Sequence, residues 1–159
     1  MQVLGIDWGL FGVTLGKIGL AYGLTLPMGW FREKEMHAVG IRTFPIVAMA
    51  SCGYLLIFQG PDVQNLNSRV LQGLIAGIGF VGGGAIVRDG LSVHGTAAAA
   101  SIWNTGAIGA AVALGRYEVA VILGLMNLFT LQAMVPLKKK LDGTPRDWDV
   151  REKKTDGEP

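Results

Sequence analysis

The stretch Gly77-Ile-Gly-Phe-Val-Gly-Gly-Gly-Ala-Ile-Val-Arg-Asp-Gly90 decides how the rest of this chain can fold. It begins inside an uncharged run from Val70 to Val87, whose 18 residues match the length of a membrane-spanning helix. Each glycine would weaken a helix in water by about 1 kcal/mol, whereas in lipid glycines let two helix backbones approach closely. The sequence therefore predicts that this helix is the central one of a membrane bundle.

Three of these glycines also match the dinucleotide-binding fingerprint G-x-G-x-x-G, at Gly77, Gly79 and Gly82. That motif holds a pyrophosphate only between a strand and a helix, with an acidic residue about 20 positions further on. Here the match lies inside one long apolar run, so nucleotide binding is not expected.

Long runs with almost no charge recur along the chain, and each is long enough to cross a bilayer. The predicted fold class is an all-α integral membrane protein with five transmembrane helices. Residues 1–137 are expected to form this transmembrane bundle, and residues 138–159 a charged, disordered cytoplasmic tail. The five predicted spans are Gly9–Phe31, Thr43–Pro61, Val70–Val87, Gly95–Gly115 and Val119–Leu137.

The basic residues predict the orientation of these spans, because cytoplasmic segments of membrane proteins carry an excess of Lys and Arg. With five spans, Arg69 and Arg116 lie on one side of the membrane. Eleven basic residues lie on the other, in the segments after the first and third spans and in the tail. The amino terminus is therefore expected outside the cell and the carboxyl terminus in the cytoplasm.

Glycines at spacings of four and three predict where helices pack closely. The third span has two pairs four residues apart, and the first span carries glycines at alternating spacings of four and three. Such a stripe occupies a single helix face and indicates long contact with another helix. Close helix packing is expected at Gly16, Gly73, Gly77, Gly79 and Gly83.

Lys17 is the one charged residue inside the five runs. It could belong to a transport pathway, since charges within membrane helices often do. We favour a second interpretation, in which its apolar stem lies along the helix and its ammonium group reaches the outer interface. If the membrane ends near Gly12, Lys17 lies only about 8 Å deep at a rise of about 1.5 Å per residue.

A set of charged residues is expected at the cytoplasmic edge of the bundle. One interpretation is a polar recess that binds a ligand, an ion or a partner, with Glu33 and Arg42 approaching each other at its centre. The other is that helix ends carry charges because they meet water, where ion pairs contribute little. The residues of this predicted cluster are Glu33, Arg42, Arg88, Asp89 and His94.

Asn104 and Asn127 lie near the middle of the fourth and fifth predicted spans. An amide at that depth needs a hydrogen-bonding partner, because lipid offers none. Three arrangements stay open: a direct bond between the two amides, separate bonds to backbone carbonyls, or an Asn104 that faces a polar cavity beside Thr105 and Ser101.

Composition excludes several classes of function. A net charge of +2 is too small to suggest nucleic-acid binding, and one cysteine with two histidines cannot form a usual zinc site. We expect no metal, no cofactor and no enzymatic activity, because no catalytic constellation lies at one depth. None of the twelve acidic residues falls inside the five runs, which weighs against a carboxylate-lined magnesium path.

Three segments resemble, in order and spacing, motifs of the MgtC/SapB family of bacterial inner-membrane proteins. The resemblance covers roughly residues 8–135. The first segment is Gly29-Trp-Phe-Arg-Glu33 with Val39-Gly-Ile-Arg-Thr43, similar to G-L-E-R-E and A-G-L-R-T. The second is Gly77-Ile-Gly-Phe-Val-Gly-Gly-Gly-Ala-Ile86, similar to G-I-G-F-L-G-A-G-x-I. The third combines Val93-His-Gly95, Ala99-Ala-Ser-Ile-Trp103 and Ala107-Ile-Gly109, similar to V-R-G-L-T-T-A-A-S-L-W and A-I-G.

The chain departs from these motifs at polar positions. Phe31 stands where the family has its first acidic residue, His94 where it has Arg, and Ala97 and Ala98 where it has Thr-Thr. Some of the polar residues in the family's motifs are therefore absent from this chain. The soluble carboxyl-terminal domain of longer members is also not expected, since about 22 residues follow the last span.

The resemblance implies a multi-pass protein of the bacterial inner membrane, linked to growth under magnesium limitation or acid stress. Such a protein would regulate or assemble with another membrane protein, or form a homo-oligomer, in contact with the lipid bilayer. The alternative implied function is a transporter or channel for magnesium or another cation.

Overall fold

The computed structural model describes residues 7–36, 40–59, 64–89 and 92–142. In these residues the chain forms five helices, as predicted, and one two-stranded antiparallel sheet that was not predicted. The fifth helix continues to Asp142, beyond the predicted end of its span at Leu137, and residues 143–159 of the predicted tail lie outside the described part. The elements are α1 (Trp8–Met36), α2 (Thr43–Ile57), α3 (Gln64–Gly84), β1 (Val87–Asp89), β2 (Ser92–His94), α4 (Thr96–Ala113) and α5 (Tyr117–Asp142).

The described helices differ in how well they match a bilayer. One stretch, Trp8–Glu33 of α1, is long and apolar enough to cross a membrane, whereas the apolar stretches Thr43–Ile57 and Tyr117–Ala133 are shorter. The 15 residues of α2 are about 22 Å long at 1.5 Å per residue, less than a hydrocarbon layer of about 30 Å. That all five helices cross a membrane stays a prediction.

Helix α4 lies at the centre of the bundle and packs against α1, α2, α3 and α5. Its side chains are small, so neighbours can approach it from several directions. A Cβ at Gly109 would overlap the carbonyl oxygen of Ala48, and a Cβ at Gly106 would overlap the side chain of Ile78. The prediction that the third helix is the central one is therefore wrong, because α4 supplies the small buried surface.

Helix α3 is more exposed than predicted. Phe80 is 85% exposed, and a Cβ at Gly73, Gly77, Gly79 or Gly83 would meet no heavy atom within 4 Å. The glycine of α3 that does make a close contact is Gly82, where a Cβ would lie 3.2 Å from the carbonyl oxygen of Ala99 in α4. Among the described residues, no heavy atom packs closely at the four α3 glycines where close packing was predicted, Gly73, Gly77, Gly79 and Gly83.

The glycine stripe of α1 is also open. Cβ atoms at Gly12, Gly16, Gly19 and Gly23 would find nothing within 4 Å. Helix α1 instead buries another face of its surface, on which Ala21, Thr25 and Met28 are at most 1% exposed. The spacing places these glycines on one face of the helix, and no heavy atom of the described residues lies within 4 Å of a Cβ at Gly16.

Lys17 ties α1 to the carboxyl end of α4. Its Nζ donates a hydrogen bond of 2.9 Å to the carbonyl oxygen of Ala113, which also accepts a bond of 2.6 Å from Nε2 of Gln59. The last carbonyls of a helix have no partner inside the helix and carry partial negative charge, so a lysine is favourable there. The carbonyl oxygen of Ala113 therefore joins the carboxyl end of α4 to the interior of α1 and to the segment that follows α2.

The connection between α3 and α4 is a short hairpin. Val87 pairs with His94 and Arg88 with Val93. Gly95 follows with a φ of 86°, in the left-handed region that favours glycine, and a Cβ there would overlap the carbonyl oxygen of Ala85. This glycine lets the chain leave the strand and begin α4 at once.

Candidate functional site

Four polar residues follow the boundary between α4 and α5, and we call them the polar seam: Ser101, Asn104, Asn127 and Thr130. Asn127 joins three helices, because its Oδ1 accepts a hydrogen bond of 3.1 Å from Ser101 Oγ in α4 and its Nδ2 donates one of 3.1 Å to Met28 Sδ in α1. A thioether is a weak acceptor, so the amide nitrogen of Asn127 remains only weakly satisfied.

Asn104 has a backbone partner across the seam. Its Nδ2 donates to the carbonyl oxygen of Leu123 in α5 at 3.3 Å, and its Oδ1 accepts no hydrogen bond in the described part of the chain. Of the three arrangements considered from the sequence, the direct bond between Asn104 and Asn127 is not formed. Asn104 instead bonds a carbonyl on the neighbouring helix, while Asn127 bonds two side chains.

The polar seam lines a groove of about 310 Å³ on the surface between α4 and α5. Asn104 and Asn127 are half-buried, and Thr130 is exposed. The third arrangement, a polar cavity beside Thr105 and Ser101, is met only in part, because the groove beside Asn104 is lined mostly by apolar side chains and does not include Thr105. The remaining residues around the groove are Ala97, Ala100, Leu123, Met126 and Leu131.

Of the hydroxyl groups in and beside the seam, that of Ser101 bonds Asn127, whereas those of Thr130 and of the neighbouring Thr105 are engaged within their own helices. Thr105 and Thr130 each donate to the carbonyl four residues earlier in their own helix, at 2.7 Å. Local bonds of this kind satisfy a hydroxyl without an external partner. The unsatisfied hydrogen-bonding capacity of the groove therefore resides mainly in the two amides.

Glu33 does not form the predicted ion pair with Arg42. Its Oε2 accepts a hydrogen bond of 2.7 Å from the backbone nitrogen of Ile41, which places the carboxylate beside the start of α2. Among the described residues the ion pair present is Arg116–Glu118, at 2.6 Å. The two predicted residues do meet at the same turn, but a backbone amide, adjacent to Arg42, takes the place of the guanidinium.

The other residues of the predicted cytoplasmic-edge cluster lie on or beside the hairpin. Arg88 and His94 are exposed, on β1 and β2 next to the start of α4, and because Arg88 is opposite Val93 and His94 opposite Val87, their side chains lie on opposite faces of the hairpin. The side chain of Asp89 lies outside the described part. The structure thus brings the cluster to one end of the bundle without joining Glu33 and Arg42 in a recess.

Sequence reasoning missed Arg32. It was counted only as a charge that sets orientation, yet it is 5% exposed and its Nε is buried without a hydrogen-bond partner. No signal in the sequence marks this burial, because Arg32 directly precedes the charged residues Glu33, Lys34 and Glu35.

A metal site is not evident. In the described residues no group of three His, Cys, Asp or Glu side chains could hold a metal ion. Glu118, at the start of α5, is engaged with Arg116, whose hydrogen bond lowers the pKa of the carboxyl group.

The sequence that forms these features can be compared with the sequences of known proteins. Residues 18–140 match the model of the MgtC family, and the chain belongs to that family. The resemblance seen in the three sequence motifs is therefore confirmed.

Three relatives illustrate how far the similarity extends. The chain is 32% identical to Protein SrpB of Synechococcus elongatus over 142 residues, which cover 77% of this chain and 78% of SrpB. It is 29% identical over 122 residues to YhiD of Escherichia coli, named a putative magnesium transporter, covering 72% of this chain and 57% of YhiD. It is 31% identical over 103 residues to Protein MgtC of Salmonella typhimurium, covering 64% and 43%.

The chain spans little more than half the length of YhiD and less than half that of MgtC. No solved structure matches it. The activity and partners of the longer relatives can therefore enter only as proposals for this chain.

Proposed function

We propose that this protein is a non-enzymatic, multi-pass protein of the bacterial inner membrane that regulates or assembles with another membrane protein complex. The observation that carries the proposal is the polar seam, an open groove with two incompletely satisfied amides on a surface that would face lipid. We place its role in adaptation to magnesium limitation or acid stress, which the family resemblance suggests.

The proposed orientation has the amino terminus outside and the carboxyl terminus in the cytoplasm. The excess of basic residues on one side, eleven against two, supports it. In that orientation the polar seam lies inside the hydrocarbon layer and runs toward the cytoplasmic end of α4.

A partner helix fits the chemistry of the groove. An amide that faces lipid lacks an acceptor or donor, so a polar side chain on a neighbouring helix would satisfy it, and such bonds contribute about 0.6–2 kcal/mol each. Ala97 and Ala100 are exposed on the groove wall, and their small side chains would allow a helix backbone to come close.

The test is a photo-crosslinking amino acid at Ala100, within the groove, in cells that express the full chain. It should capture one membrane protein, and Asn104→Leu should abolish the capture. Gln72→Leu removes an exposed amide from α3 and serves as the matched control, which should capture as well as the wild type. If Asn104→Leu and Gln72→Leu behave alike, the seam is not the contact surface.

A cation transporter or channel is the second candidate, favoured by the name of YhiD, a putative magnesium transporter. Against it, the described residues offer no cluster of acidic side chains that could replace the water around magnesium. Ion flux into proteoliposomes that hold only this protein separates the two. Saturable magnesium flux that Lys17→Met removes would favour transport.

A further inference from the structure

The most unusual charge in the described structure is the guanidinium of Arg32. The residue is 5% exposed, and its buried Nε has no hydrogen-bond partner. An arginine cannot shed its proton to escape burial, and a buried charge is unfavourable unless it is paired. A fold that keeps such a residue inside is expected to supply it with an anion.

Two contacts fix the level of Arg32 along the bundle. Lys17 in α1 bonds Ala113 in α4, and Met28 in α1 is linked through Asn127 to Ser101 in α4. The residue numbers rise along α1 while they fall along α4, so these helices run antiparallel. Both helices advance about 1.5 Å per residue.

Arg32 lies four residues after Met28 in α1. Ala97, in the first turn of α4, lies four residues before Ser101. Arg32 therefore lies level with that first turn. The spacing of four also puts it on the same side of α1 as Met28, which is 1% exposed and contacts Asn127 of α5. The buried guanidinium thus lies within the bundle at the level where α4 begins.

The beginning of α4 has hydrogen-bond donors to offer. Its N-cap residue is Gly95, no side chain caps it, and its first turn contains no acidic residue. The first backbone N–H groups of a helix have no partner within the helix, and they carry partial positive charge. Ala98, in this turn, is 1% exposed, so these donors lie partly away from water.

The charges around this end also favour an anion. The described basic side chains there are those of Arg42, Arg88 and His94, all exposed. The described acidic side chain is that of Glu33, which accepts the backbone N–H of Ile41. Positive charge therefore exceeds negative charge among the described side chains at this end.

We propose that Arg32 and the first turn of α4 bind a phosphate group. A guanidinium presents a planar fork of donors that matches phosphate oxygens, and a helix amino terminus is a general anion site. The phosphate is either the head group of an anionic phospholipid or a free phosphate from the cytoplasm. This site is separate from partner binding at the polar seam.

The experiment uses the full chain in micelles of dodecyl maltoside, which carries no phosphate, in phosphate-free buffer. Inorganic phosphate is added in one arm, and phosphatidylglycerol is mixed into the micelles in the other. The melting temperature and the lipid retained in native mass spectrometry are measured for wild type, Arg32→Gln and Arg32→Lys. Arg116→Gln is the control, because Arg116 is 67% exposed at the opposite end of α4.

The wild type and Arg116→Gln should gain melting temperature with the anion, and Arg32→Gln should lose that gain, with binding weakened about tenfold or more. Arg32→Lys, which keeps the charge but not the fork, should retain a weaker response. A response to inorganic phosphate identifies a free phosphate, and a response to phosphatidylglycerol alone identifies a lipid head group.

Without either anion, Arg32→Gln should be at least as stable as the wild type, because it removes a buried charge whose Nε has no hydrogen-bond partner. If Arg32→Gln is instead less stable by the same amount in every arm, a carboxylate of this chain, such as that of Glu35, pairs with Arg32 and the proposal fails. It also fails if the wild type responds to neither anion. If Arg32→Gln does not fold, the proposal is tested with the other two proteins. The wild type should then gain melting temperature with an anion, and Arg32→Lys should gain less.

Discussion

Helices α3 and α4 both contain several glycines, yet these glycines have opposite surroundings. In α4, Gly106 and Gly109 meet Ile78 and Ala48 so closely that a Cβ would overlap them. In α3, Gly73 and Gly77 would meet nothing within 4 Å. A glycine spacing therefore identifies a helix surface that another helix can approach closely. Whether a helix does approach it depends on how all the side chains of the glycine-containing helix pack.

The difference follows from what surrounds the glycines in each helix. Next to Gly109, α4 carries several alanines, of which Ala111 and Ala113 are 7% and 0% exposed. Around Gly77, α3 carries the larger Phe80 and Val81, which are 85% and 48% exposed. A helix rich in small side chains lets several neighbours come close, while a helix with large exposed side chains beside its glycines packs on fewer sides.

The largest effect is expected for Gly109→Ala. The added methyl would overlap the carbonyl oxygen of Ala48 and lie 2.9 Å from Ser51 Cβ, in a backbone contact that cannot relax cheaply. We expect a loss of about 3 kcal/mol in the free energy of unfolding, at the upper end for overpacking. Chemical unfolding in detergent measures it.

The control for that measurement is Gly53→Ala, in α2, where a Cβ would meet nothing within 4 Å. It should be neutral or slightly stabilising, because alanine is the better helix former. Equal losses for the two variants would remove the distinction between packed and open glycines on which the comparison depends.

The second prediction separates backbone strain from close contact. Gly95 and Gly115 both have positive φ, 86° and 73°, so alanine is strained at either position by about 1–2 kcal/mol. A Cβ at Gly95 would also overlap the carbonyl oxygen of Ala85, whereas one at Gly115 would meet open space. Gly95→Ala should therefore cost about 2 kcal/mol or more in unfolding free energy, and Gly115→Ala clearly less.

Helix content by circular dichroism adds a second measure for this pair. Gly95→Ala should disturb the start of α4, since it alters the residue that links β2 to that helix. If Gly115→Ala lowers the unfolding free energy as much as Gly95→Ala does, backbone strain alone accounts for both losses. The overlap with Ala85 would then contribute nothing measurable.

The third prediction concerns the carboxyl end of α4. Lys17→Met removes the ammonium donor from Ala113 but leaves the bond from Gln59, so we expect a loss of about 1 kcal/mol. The double variant Lys17→Met/Gln59→Leu should cost more than the sum of the single changes, because the carbonyl then keeps neither partner. Thermal unfolding of the four proteins in one detergent provides the cycle.

Strict additivity of the two changes would mean that Ala113 is not their shared acceptor. In the same series, magnesium flux of Lys17→Met in proteoliposomes tests whether the residue has any transport role beyond this bond.

These cases show what the sequence could predict. The long apolar runs predicted the five helices, since their length and lack of charge reflect each helix by itself. The central helix could not be identified in this way, because it depends on which neighbours cover Gly106 and Gly109. The hairpin was hidden for a related reason: its strands have three residues each, too few to produce a recognisable alternation.

The candidate sites were predictable to a similar extent. Asn104 and Asn127 stood out because an amide is rare in an apolar run, and both prove to lie in one groove. Their hydrogen-bond partners depended on the rotation of α4 and α5, which the spacing does not determine. Arg32 was overlooked because it adjoins a segment rich in charges, where burial is not expected.

The smallest effect is expected at the open glycines. Gly77→Leu and Gly16→Leu would place side chains where no heavy atom lies within 4 Å of the Cβ, so the monomer in detergent should change its unfolding free energy by about 0.5 kcal/mol or less. If these faces bind another copy or a partner helix, both variants should instead reduce crosslinking between chains in native membranes, because a bulky side chain separates two backbones. A large loss of stability in the monomer at Gly77 would mean that α3 packs within the chain as tightly as α4, and the contrast between the two helices would then disappear.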